Sequence, residues 1–367
     1  MNILFLSYSI IENDVRTQEL LKIMNEIGQV ILVSPLISEN LDTIKIKEHI
    51  KIKLTKREYM KLKNYLKFIF LSIKSALKIK NIDILFVDNY LSAIPALMIL
   101  KMRKIKFIIQ DMRELYLISE RKGVFKKLLT KSEIKLMEKS DLVIVANKYR
   151  ANLVKHLYKL KNKPIVFENI RKLNVNYNSD KFNKKYKFNN EKIRLIYTGG
   201  FEIDRKIDKL VEAMKELDNC ELYIVGGGSK KDKNILLNII KNNNLKNVYL
   251  YEKLPLDELK YLINNSHIGV VTYNDNTFNN KYCAPGKVYE FLFEGLPVIT
   301  TENPPLKSLC QNSKIGESDN NFIEGIKKII DNYQFYKENV NKYIKNTSIE
   351  ENRKKVINEI KRVINGG

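Results

Sequence analysis

Short apolar runs alternate with longer helical patterns along most of the chain, and this alternation limits the fold more than any other feature. Runs rich in β-branched residues with helices between them indicate a parallel sheet covered on both faces. In the first half the predicted strands are Ile3–Ser7, Val30–Val33, Ile84–Val87, Phe107–Gln110, Leu142–Ala146 and Ile165–Phe167. The helices predicted between them include Thr17–Ile27, Ser92–Lys101, Lys131–Lys139 and Ala151–Leu160.

The alternation of predicted strands and helices is interrupted over Arg171–Lys192, which is rich in Asn and Lys, and it resumes after this stretch. The second set of predicted strands is Ile193–Tyr197, Leu222–Val225, Val248–Tyr251, Ile268–Thr272 and Val298–Thr300. The second set of predicted helices is Ile207–Glu216, Lys233–Asn242, Leu256–Asn264, Val288–Phe293 and Phe322–Asn332. A long basic helix, roughly Ile349–Ile364, follows them.

The predicted fold class is therefore α/β, with two tandem Rossmann-like domains that face a cleft. The first domain covers residues 1–170 and is joined by the C-terminal helix 349–367; residues 171–192 form the linker, and residues 193–348 form the second domain. A chain of 367 residues suits two domains. Because ligands of such folds bind at the carboxyl ends of the strands, we expect a site in the cleft.

Cysteine and histidine are too sparse for most metal or disulfide architectures. The three cysteines, Cys220, Cys283 and Cys310, include no Cys-x-x-Cys pair, which argues against a disulfide framework or a structural zinc site and suits a reducing compartment. Three histidines leave little room for a histidine-built metal centre. No apolar run approaches the ~18–20 residues that span a bilayer. We expect a cytoplasmic protein.

Positive charge is concentrated in residues 51–180, which hold 30 basic and 11 acidic residues out of a formal net charge of +23 for the chain. The stretch Lys51–Lys80 has ten basic residues and one acid, Glu58, interleaved with apolar residues that include Leu66, Phe68, Ile69 and Phe70. A basic amphipathic segment favours an anionic lipid surface. The alternative is a composition bias that leaves one solvated face.

Two glycine-rich turns follow predicted strands of the second half. Gly199-Gly200 precede Arg205-Lys206 and a predicted helix start. Paired glycines let the backbone approach a ligand, and a helix start with two cations suits a diphosphate. The alternative is a tight turn with two solvated bases. The second turn, Gly226–Gly228, lacks a full phosphate-binding pattern and favours a structural role.

The most informative segment is residues 280–299, Asn-Lys-Tyr-Cys-Ala-Pro-Gly-Lys-Val-Tyr-Glu-Phe-Leu-Phe-Glu-Gly-Leu-Pro-Val-Ile. Lys287 falls in the first turn of a predicted helix, where a cation is disfavoured unless an anion is bound there. Glu290 lies one turn further on the same face and can accept hydrogen bonds from two neighbouring hydroxyls, as on a ribose. The alternative is a Lys–Glu pair on a surface helix.

This segment resembles the P-x-K-x-x-E-x-x-x-x-G-x-P-V-I block of the retaining, family 4-type glycosyltransferases with the GT-B fold, also called glycosyl transferases group 1. Looser similarity extends over most of the chain, through the strand Ile3–Ser7, Asp14-Val15-Arg16, Asp111–Glu114, the strand Leu142–Ala146, Asn169 and the two glycine turns. The resemblance implies that the second domain binds a nucleotide-diphospho-sugar and the first binds the acceptor.

The same resemblance implies site roles for individual residues. Glu290 would hold the ribose and Arg205 and Lys287 the diphosphate, with weaker help from Lys206. Close backbone approach would come from Gly199 and Gly200, and the Gly286–Val288 backbone would contact phosphate or sugar. Tyr282 stands where many relatives carry a second glutamate, and Arg113 stands where relatives often carry a histidine.

The expected reaction is metal-independent sugar transfer with retention at the anomeric carbon. No Asp-x-Asp motif occurs, so no metal or other cofactor is expected beyond the nucleotide sugar as donor substrate. Cations aimed at the leaving diphosphate would lower the barrier, which makes Arg205 and Lys287 the expected catalytic pair. The family resemblance implies that the leaving phosphate itself serves as base, and Asp111 and Glu114 are the local carboxylates to test.

The expected partners are a glycan or lipid-linked acceptor of cell-envelope polysaccharide synthesis and the anionic inner face of the membrane. Two alternatives remain open on the sequence. One is a sugar-nucleotide epimerase or phosphorylase, because the fold alone does not decide function. The other is a basic nucleic-acid-binding protein, which the lack of a recognisable nucleic-acid motif disfavours.

Overall fold

The computed structural model describes residues 1–36, 46–55, 58–59 and 61–366. The chain divides into two compact units, the first of residues 1–169 and 349–367 and the second of residues 170–348. In the part of the chain that the structure describes, no helix is long and apolar enough to cross a membrane.

The first unit is built on a parallel sheet of seven strands in the order β3-β2-β1-β4-β5-β6-β7. These strands are β1 Asn2–Ser7, β2 Gln29–Leu36, β3 Glu48–Lys53, β4 Ile84–Asp88, β5 Phe107–Met112, β6 Leu142–Val145 and β7 Ile165–Val166. The helices are α1 Val15–Ile27, α2 Leu62–Lys78, α3 Ala93–Met102, α4 Val124–Lys139 and α5 Lys148–Leu157.

The apolar runs of the first unit form strands because both faces of the sheet are covered. In β1, Ile3 and Phe5 belong to one core cluster and Leu4 and Leu6 to the other, as the alternation of side chains along a strand requires. All four side chains are fully buried. Helix α1 starts at a defined point because the Asp14 carboxylate accepts a hydrogen bond of 3.1 Å from the Thr17 amide.

The second unit is built on a parallel sheet of six strands in the order β10-β9-β8-β11-β12-β13. The strands are β8 Ile193–Gly200, β9 Cys220–Gly227, β10 Val248–Tyr251, β11 Ile268–Val271, β12 Val298–Thr300 and β13 Gly316–Ser318. The helices are α6 Ser179–Asn183, α7 Ile207–Ala213, α8 Lys230–Asn242, α9 Leu256–Asn264, α10 Phe278–Lys281, α11 Gly286–Phe293, α12 Pro304–Ser313, α13 Ile323–Asp331 and α14 Tyr333–Lys345.

The last helix, α15 Ile349–Gly366, belongs to the first unit although it follows the second in sequence. Its apolar stripe, Val356, Ile357 and Ile360, is buried in the same core cluster as the inner face of α1. Arg353 of α15 also pairs with Glu19 of α1 at 3.1 Å. Burial of this stripe explains why the helix is amphipathic despite its many charges.

The expected α/β fold class is confirmed, with two parallel sheets and alternating helices. Strands β3 and β13 were not expected from the sequence, because Glu48–Lys53 alternates charged and apolar residues at a sheet edge and Gly316–Ser318 is short and polar. Helix α4 begins at Val124, well before the expected start at Lys131.

Residues 171–192, expected to be a linker, pack onto the second unit. Phe182 of α6 and Tyr186 are buried in the core cluster that contains Tyr261. The Tyr186 hydroxyl also donates a hydrogen bond of 2.5 Å to Glu258. The polar composition of this stretch conceals two aromatic side chains whose burial stabilises it.

Candidate functional site

The strand order of the second unit reverses between β8 and β11, which are hydrogen-bonded neighbours. From β8 the chain proceeds outward through β9 and β10, and it then returns to the other side of β8 to form β11. In open parallel sheets, ligands bind outside the carboxyl ends of the strands at such a point. The segments after β8 and β11, and the start of α11, lie at this edge.

The glycines that were expected to form turns are mostly strand residues: Gly199 and Gly200 end β8 and pair with Gly226 and Gly227 at the end of β9. A Cβ atom on Gly226 would lie 1.6 Å from the Gly199 carbonyl oxygen, so the two backbones approach at a distance that only glycine permits. The residue after Gly200, Phe201, is fully buried, and its amide donates to the Gly227 carbonyl at 2.9 Å. Gly226 therefore serves the packing of the sheet, which fixes the position of Gly199 and Gly200 at the end of β8.

Arg205 follows β8 and spans the point where the strand order reverses. Its guanidinium carbon lies 5.1 Å from the ring centre of Tyr273, which follows β11. Glu202 is 3.2 Å from Arg205 Nε, and the side chain of Arg205 is partly exposed. Stacking on an aromatic ring orients the planar guanidinium and leaves donors free to meet a phosphate.

Lys206 is held by a different partner. Its backbone is left-handed, with φ of 59°, and caps the start of α7. Its Nζ donates a hydrogen bond of 3.0 Å to the Asn320 side chain, which also contacts Glu302 at 2.9 Å. The structure thus gives Arg205 the stacked position and ties Lys206 to the loop that follows β13.

Glu290, in the first turns of α11, is a buried carboxylate that contacts two partly exposed cations. It is only 4 % exposed, and its two carboxylate oxygens contact two cations: Lys287 Nζ at 2.7 Å and Arg171 Nε at 2.6 Å. Burial lowers the pKa of Lys287, although the Glu290 carboxylate opposes that shift. The two cations compensate the negative charge of the buried carboxylate, which would otherwise be costly to bury.

Gly286 makes room for the second of these cations. A Cβ atom at this position would lie 2.6 Å from Arg171 Nε, so a larger residue would displace the guanidinium. Arg171 was not among the expected site residues, because the residues around it suggested a linker. Neighbouring Val288 is buried in the core, so only its backbone is available to a ligand.

Asparagine side chains fix the loops around α11. Asn303 Nδ2 donates to the carbonyls of Asn274 and Asn280, each at 3.0 Å, and its Oδ1 accepts from Thr301 at 2.6 Å. These bonds tie the segment after β11 to the segment after β12. Pattern analysis missed them because single asparagines carry no motif.

The two carboxylates expected near the reacting atoms lie in the first unit, Asp111 near the carboxyl end of β5 and Glu114 just after it. Asp111 is fully buried, and Arg16 binds both of its oxygens, at 2.5 and 2.8 Å. This bidentate pair is typical of a structural ion pair and leaves Asp111 poorly placed for proton transfer. Glu114 is half-buried just beyond the strand.

Arg113 organises the rest of the polar cluster of the first unit, where the strand order also reverses between β1 and β4. Its Nε lies 2.7 Å from Asp88, and its Nη1 pairs with Asp14. Asp88 further accepts hydrogen bonds from Ser7 at 2.6 Å and Thr17 at 3.0 Å. Burial raises the pKa of Asp88 to about 6, against the opposing effect of Arg113.

Within the described ranges, no group of three or more His, Cys, Asp and Glu residues could hold a metal ion. The three cysteines are buried, and none of them forms a disulfide.

Comparison with known proteins identifies the second unit most clearly. Residues 178–356 match the family model described as glycosyl transferases group 1. No curated protein matches the sequence significantly.

Solved structures show the same fold over the whole chain. Sucrose-phosphate synthase from Thermosynechococcus elongatus superposes with a TM-score of 0.74 at 15% identity, covering 100% of both chains. HepE from Anabaena, in complex with UDP-glucose, has a TM-score of 0.70 at 13% identity and covers 98% of this chain and 99% of its own. WaaG, a glycosyltransferase involved in lipopolysaccharide biosynthesis, has a TM-score of 0.66 at 13% identity with 100% of both chains covered.

Proposed function

We propose that this chain, whose residues 178–356 match the family model of the glycosyl transferases group 1, is a glycosyltransferase that moves a sugar from a nucleotide-diphosphate donor to a glycan or lipid-linked acceptor. The observation that carries the proposal is the grouping of Arg205, Lys287 and Glu290 at the carboxyl edge of the second sheet. Structures of the same fold hold UDP-glucose, which supports a nucleotide sugar as donor.

Charge development on the leaving diphosphate explains the two cations. As the bond from the sugar to the diphosphate breaks, negative charge grows on the phosphate oxygens, so prearranged cations stabilise the transition state more than the ground state. Arg205, stacked on Tyr273, supplies a planar donor, and Lys287 supplies a point charge. The proposed reaction retains the anomeric configuration and needs no metal.

Glu290 is proposed to hold the ribose hydroxyls. In the structure its Oε2 accepts from Lys287 and its Oε1 faces Arg171. If the Lys287 ammonium group contacted the bound diphosphate in place of Glu290, Oε2 of Glu290 would become available to a ribose hydroxyl. Arg171 would keep the Glu290 carboxylate ionised and oriented. Donor binding would therefore exchange partners within one cluster, with no charge left unpaired.

The proposed acceptor is part of cell-envelope polysaccharide synthesis, presented at the cytoplasmic face of a membrane. Helix α2 supports this part of the proposal, because an exposed apolar stripe and a lysine stripe lie side by side on it. Leu66 and Phe70 are 55% and 62% exposed, whereas Phe68 is fully buried in the core. Lys56, Arg57 and Met60 of the basic segment lie outside the described residues.

A thermal-shift screen with UDP-, GDP- and other nucleotide sugars tests the donor. A ligand that binds only the folded protein raises the free energy of unfolding by about 2.7 kcal/mol at a hundredfold excess over Kd. Nucleoside diphosphate should then form only when acceptor is present. Epimerised donor without released diphosphate, or no shift with any nucleotide sugar, would contradict the proposal.

Vesicle flotation tests the membrane attachment through α2. Lys61→Glu, Lys63→Glu and Lys67→Glu together should release the protein from phosphatidylglycerol vesicles, because each basic residue near an anionic surface contributes about 1 kcal/mol. High salt should have the same effect. Equal binding to neutral and anionic vesicles would contradict an electrostatic attachment.

A further inference from the structure

Helices α3 and α4 of the first unit border a groove of about 460 Å³. Two stripes of residues line it: Ile94, Leu97, Met98, Leu100 and Lys101 on α3, and Leu128, Lys131, Ser132, Lys135 and Lys139 on α4. Spacings of three and four residues place each stripe largely on one helix face. The volume falls in the range of small-molecule sites, roughly 300–1,000 Å³. Nothing in the proposed sugar transfer uses this groove.

The lining combines an apolar floor with a cationic rim. Its five apolar side chains come from both helices, its four charged side chains are all lysines, and it contains no acidic residue. Of the two glutamates on α4, Glu133 is buried and Glu138 is not among the lining residues. Lysine stems extend over apolar surface while their ammonium groups reach the solvent. This pattern matches a ligand with an anionic head and an apolar tail.

Several apolar side chains on the two helices that border the groove are exposed. Met98, Met102, Val124, Phe125 and Leu128 are all exposed. The Phe125 ring packs edge-on against Tyr65 of α2, with ring centres 5.9 Å apart, so this surface is continuous with α2. A large apolar surface bordered by polar residues indicates an interaction site. With lysines as its border, the matching surface is an anionic bilayer.

We propose that the α3–α4 groove binds one anionic phospholipid of a bilayer, with its acyl chain on the apolar floor and its head-group phosphate between Lys131 and Lys135. The inference rests on the membrane attachment proposed above, but not on the sugar transfer. It converts a diffuse electrostatic attraction into a defined lipid site in the first unit.

A tryptophan reporter tests the acyl-chain contact, because the chain contains no tryptophan of its own. Leu128→Trp places the reporter in the groove, and Phe335→Trp is the matched control in the second unit, since both residues are 50% exposed. Phosphatidylglycerol vesicles with brominated acyl chains should quench the emission of the Leu128→Trp protein and leave that of the Phe335→Trp protein unchanged. Soluble glycerol phosphate should quench neither. Equal quenching of both proteins, or of neither, would overturn the proposal.

Charge reversal tests the head-group contact. Lys131→Glu with Lys135→Glu should weaken binding to phosphatidylglycerol vesicles by on the order of tenfold or more relative to Lys126→Glu with Lys127→Glu. The control pair makes the same change of net charge on the same helix, at exposed lysines outside the groove. Equal weakening by the two pairs would overturn the proposal.

These outcomes separate the groove from the other proposals. Loss of binding in the α2 triple variant, with full binding in the Lys131/Lys135 variant, would contradict the groove and leave the α2 attachment in place. Full binding of the α2 triple variant, with loss of binding in the Lys131/Lys135 variant, would support the groove and contradict the attachment through α2. Neither measurement uses a nucleotide sugar, so a failure of the sugar-transfer proposal would leave this result unaffected.

Discussion

Arg171 Nε lies 2.6 Å from Glu290 Oε1, and through this contact a residue of the expected linker helps to build the candidate donor site. Glu290 is nearly fully buried, so its negative charge has to be compensated by nearby cations. Lys287 contacts only one of the two carboxylate oxygens, Oε2. Gly286 leaves the space in which the guanidinium fits. The Arg171–Glu290 pair therefore contributes both to the stability of the second unit and to the arrangement of its candidate site.

We expect Arg171 and Glu290 to be energetically coupled. In a double-mutant cycle of Arg171→Leu and Glu290→Leu, measured by denaturant unfolding, the coupling should reach about 0.5–3 kcal/mol because the carboxylate is buried. The exposed pair Lys209–Glu212, 2.9 Å apart, is the control and should give roughly 0–0.5 kcal/mol. Equal coupling in the two pairs would show that burial adds nothing to the contact.

Loss of Lys287 or Glu290 should impair catalysis and leave the protein folded. Lys287→Ala and Glu290→Ala each remove a charge-assisted contact worth about 1.5–3 kcal/mol, so kcat/KM should fall roughly tenfold to a hundredfold. Lys281→Ala changes an exposed lysine of the preceding segment and should leave turnover unchanged. Near-normal turnover in both site variants would remove these residues from the donor site.

Arg205 should not be replaceable by lysine. Arg205→Lys keeps the charge but loses the planar group that stacks on Tyr273, 5.1 Å from its ring centre. We expect kcat/KM for the donor to fall by on the order of tenfold. Tyr273→Leu should produce a loss of the same kind, whereas Lys209→Ala, at an exposed position on α7, should not. Full activity of Arg205→Lys would mean that charge alone suffices.

Glu133 of α4 should make the stability of the first unit depend on pH. Burial raises its pKa to about 8, from 4.5 in an exposed glutamate, with Asp111 and Glu114 adding to the shift and Arg121 opposing it. Between these two values the unfolded chain releases this proton and the folded protein retains it, so the free energy of unfolding falls as the pH rises.

Glu133→Gln should remove this dependence, because the amide cannot ionise. Its melting temperature should match that of the unsubstituted protein near pH 5 and exceed it at pH 8, where the ionisable carboxyl costs a few kcal/mol. Glu138→Gln, an exposed change on the same helix, is the control. Parallel melting curves at all pH values would show that Glu133 titrates like an exposed glutamate.

Sugar transfer should persist in EDTA. The sequence has no Asp-x-Asp motif, and Arg205 and Lys287 provide the positive charge that a metal would otherwise bring to the diphosphate. Initial rates with and without chelator measure this directly. Loss of activity in EDTA that magnesium or manganese restores would show that the reaction needs a metal.

The recognition of a GT-B glycosyltransferase is confirmed by the family match over residues 178–356 and by the solved structures of the same fold. That recognition came from residues close together in sequence, such as Pro285, Gly286, Lys287 and Glu290, which lie at one helix start in the structure. Local spacing was sufficient there because two side chains that are three residues apart on a helix lie on the same face.

Local patterns also determined the strands and helices themselves. Apolar periodicity reports burial on one or both faces, so it predicted the inner strands of both sheets. It predicted β7 and β10 at sheet edges but missed β3 and β13, because Glu48–Lys53 interleaves charged with apolar residues and Gly316–Ser318 is short and polar.

Contacts between distant residues were decided by the tertiary structure alone. The order of strands brings Tyr273 under Arg205, the packing of residues 171–192 brings Arg171 to Glu290, and the pairing of α3 with α4 forms the lysine-bordered groove. The sequence by itself determined most of the segments that form strands and helices, and it indicated the residues that we propose for the diphosphate site. Which side chains meet across the sheet depended on strand order and packing, because these are set by the burial of the whole core and by no single segment.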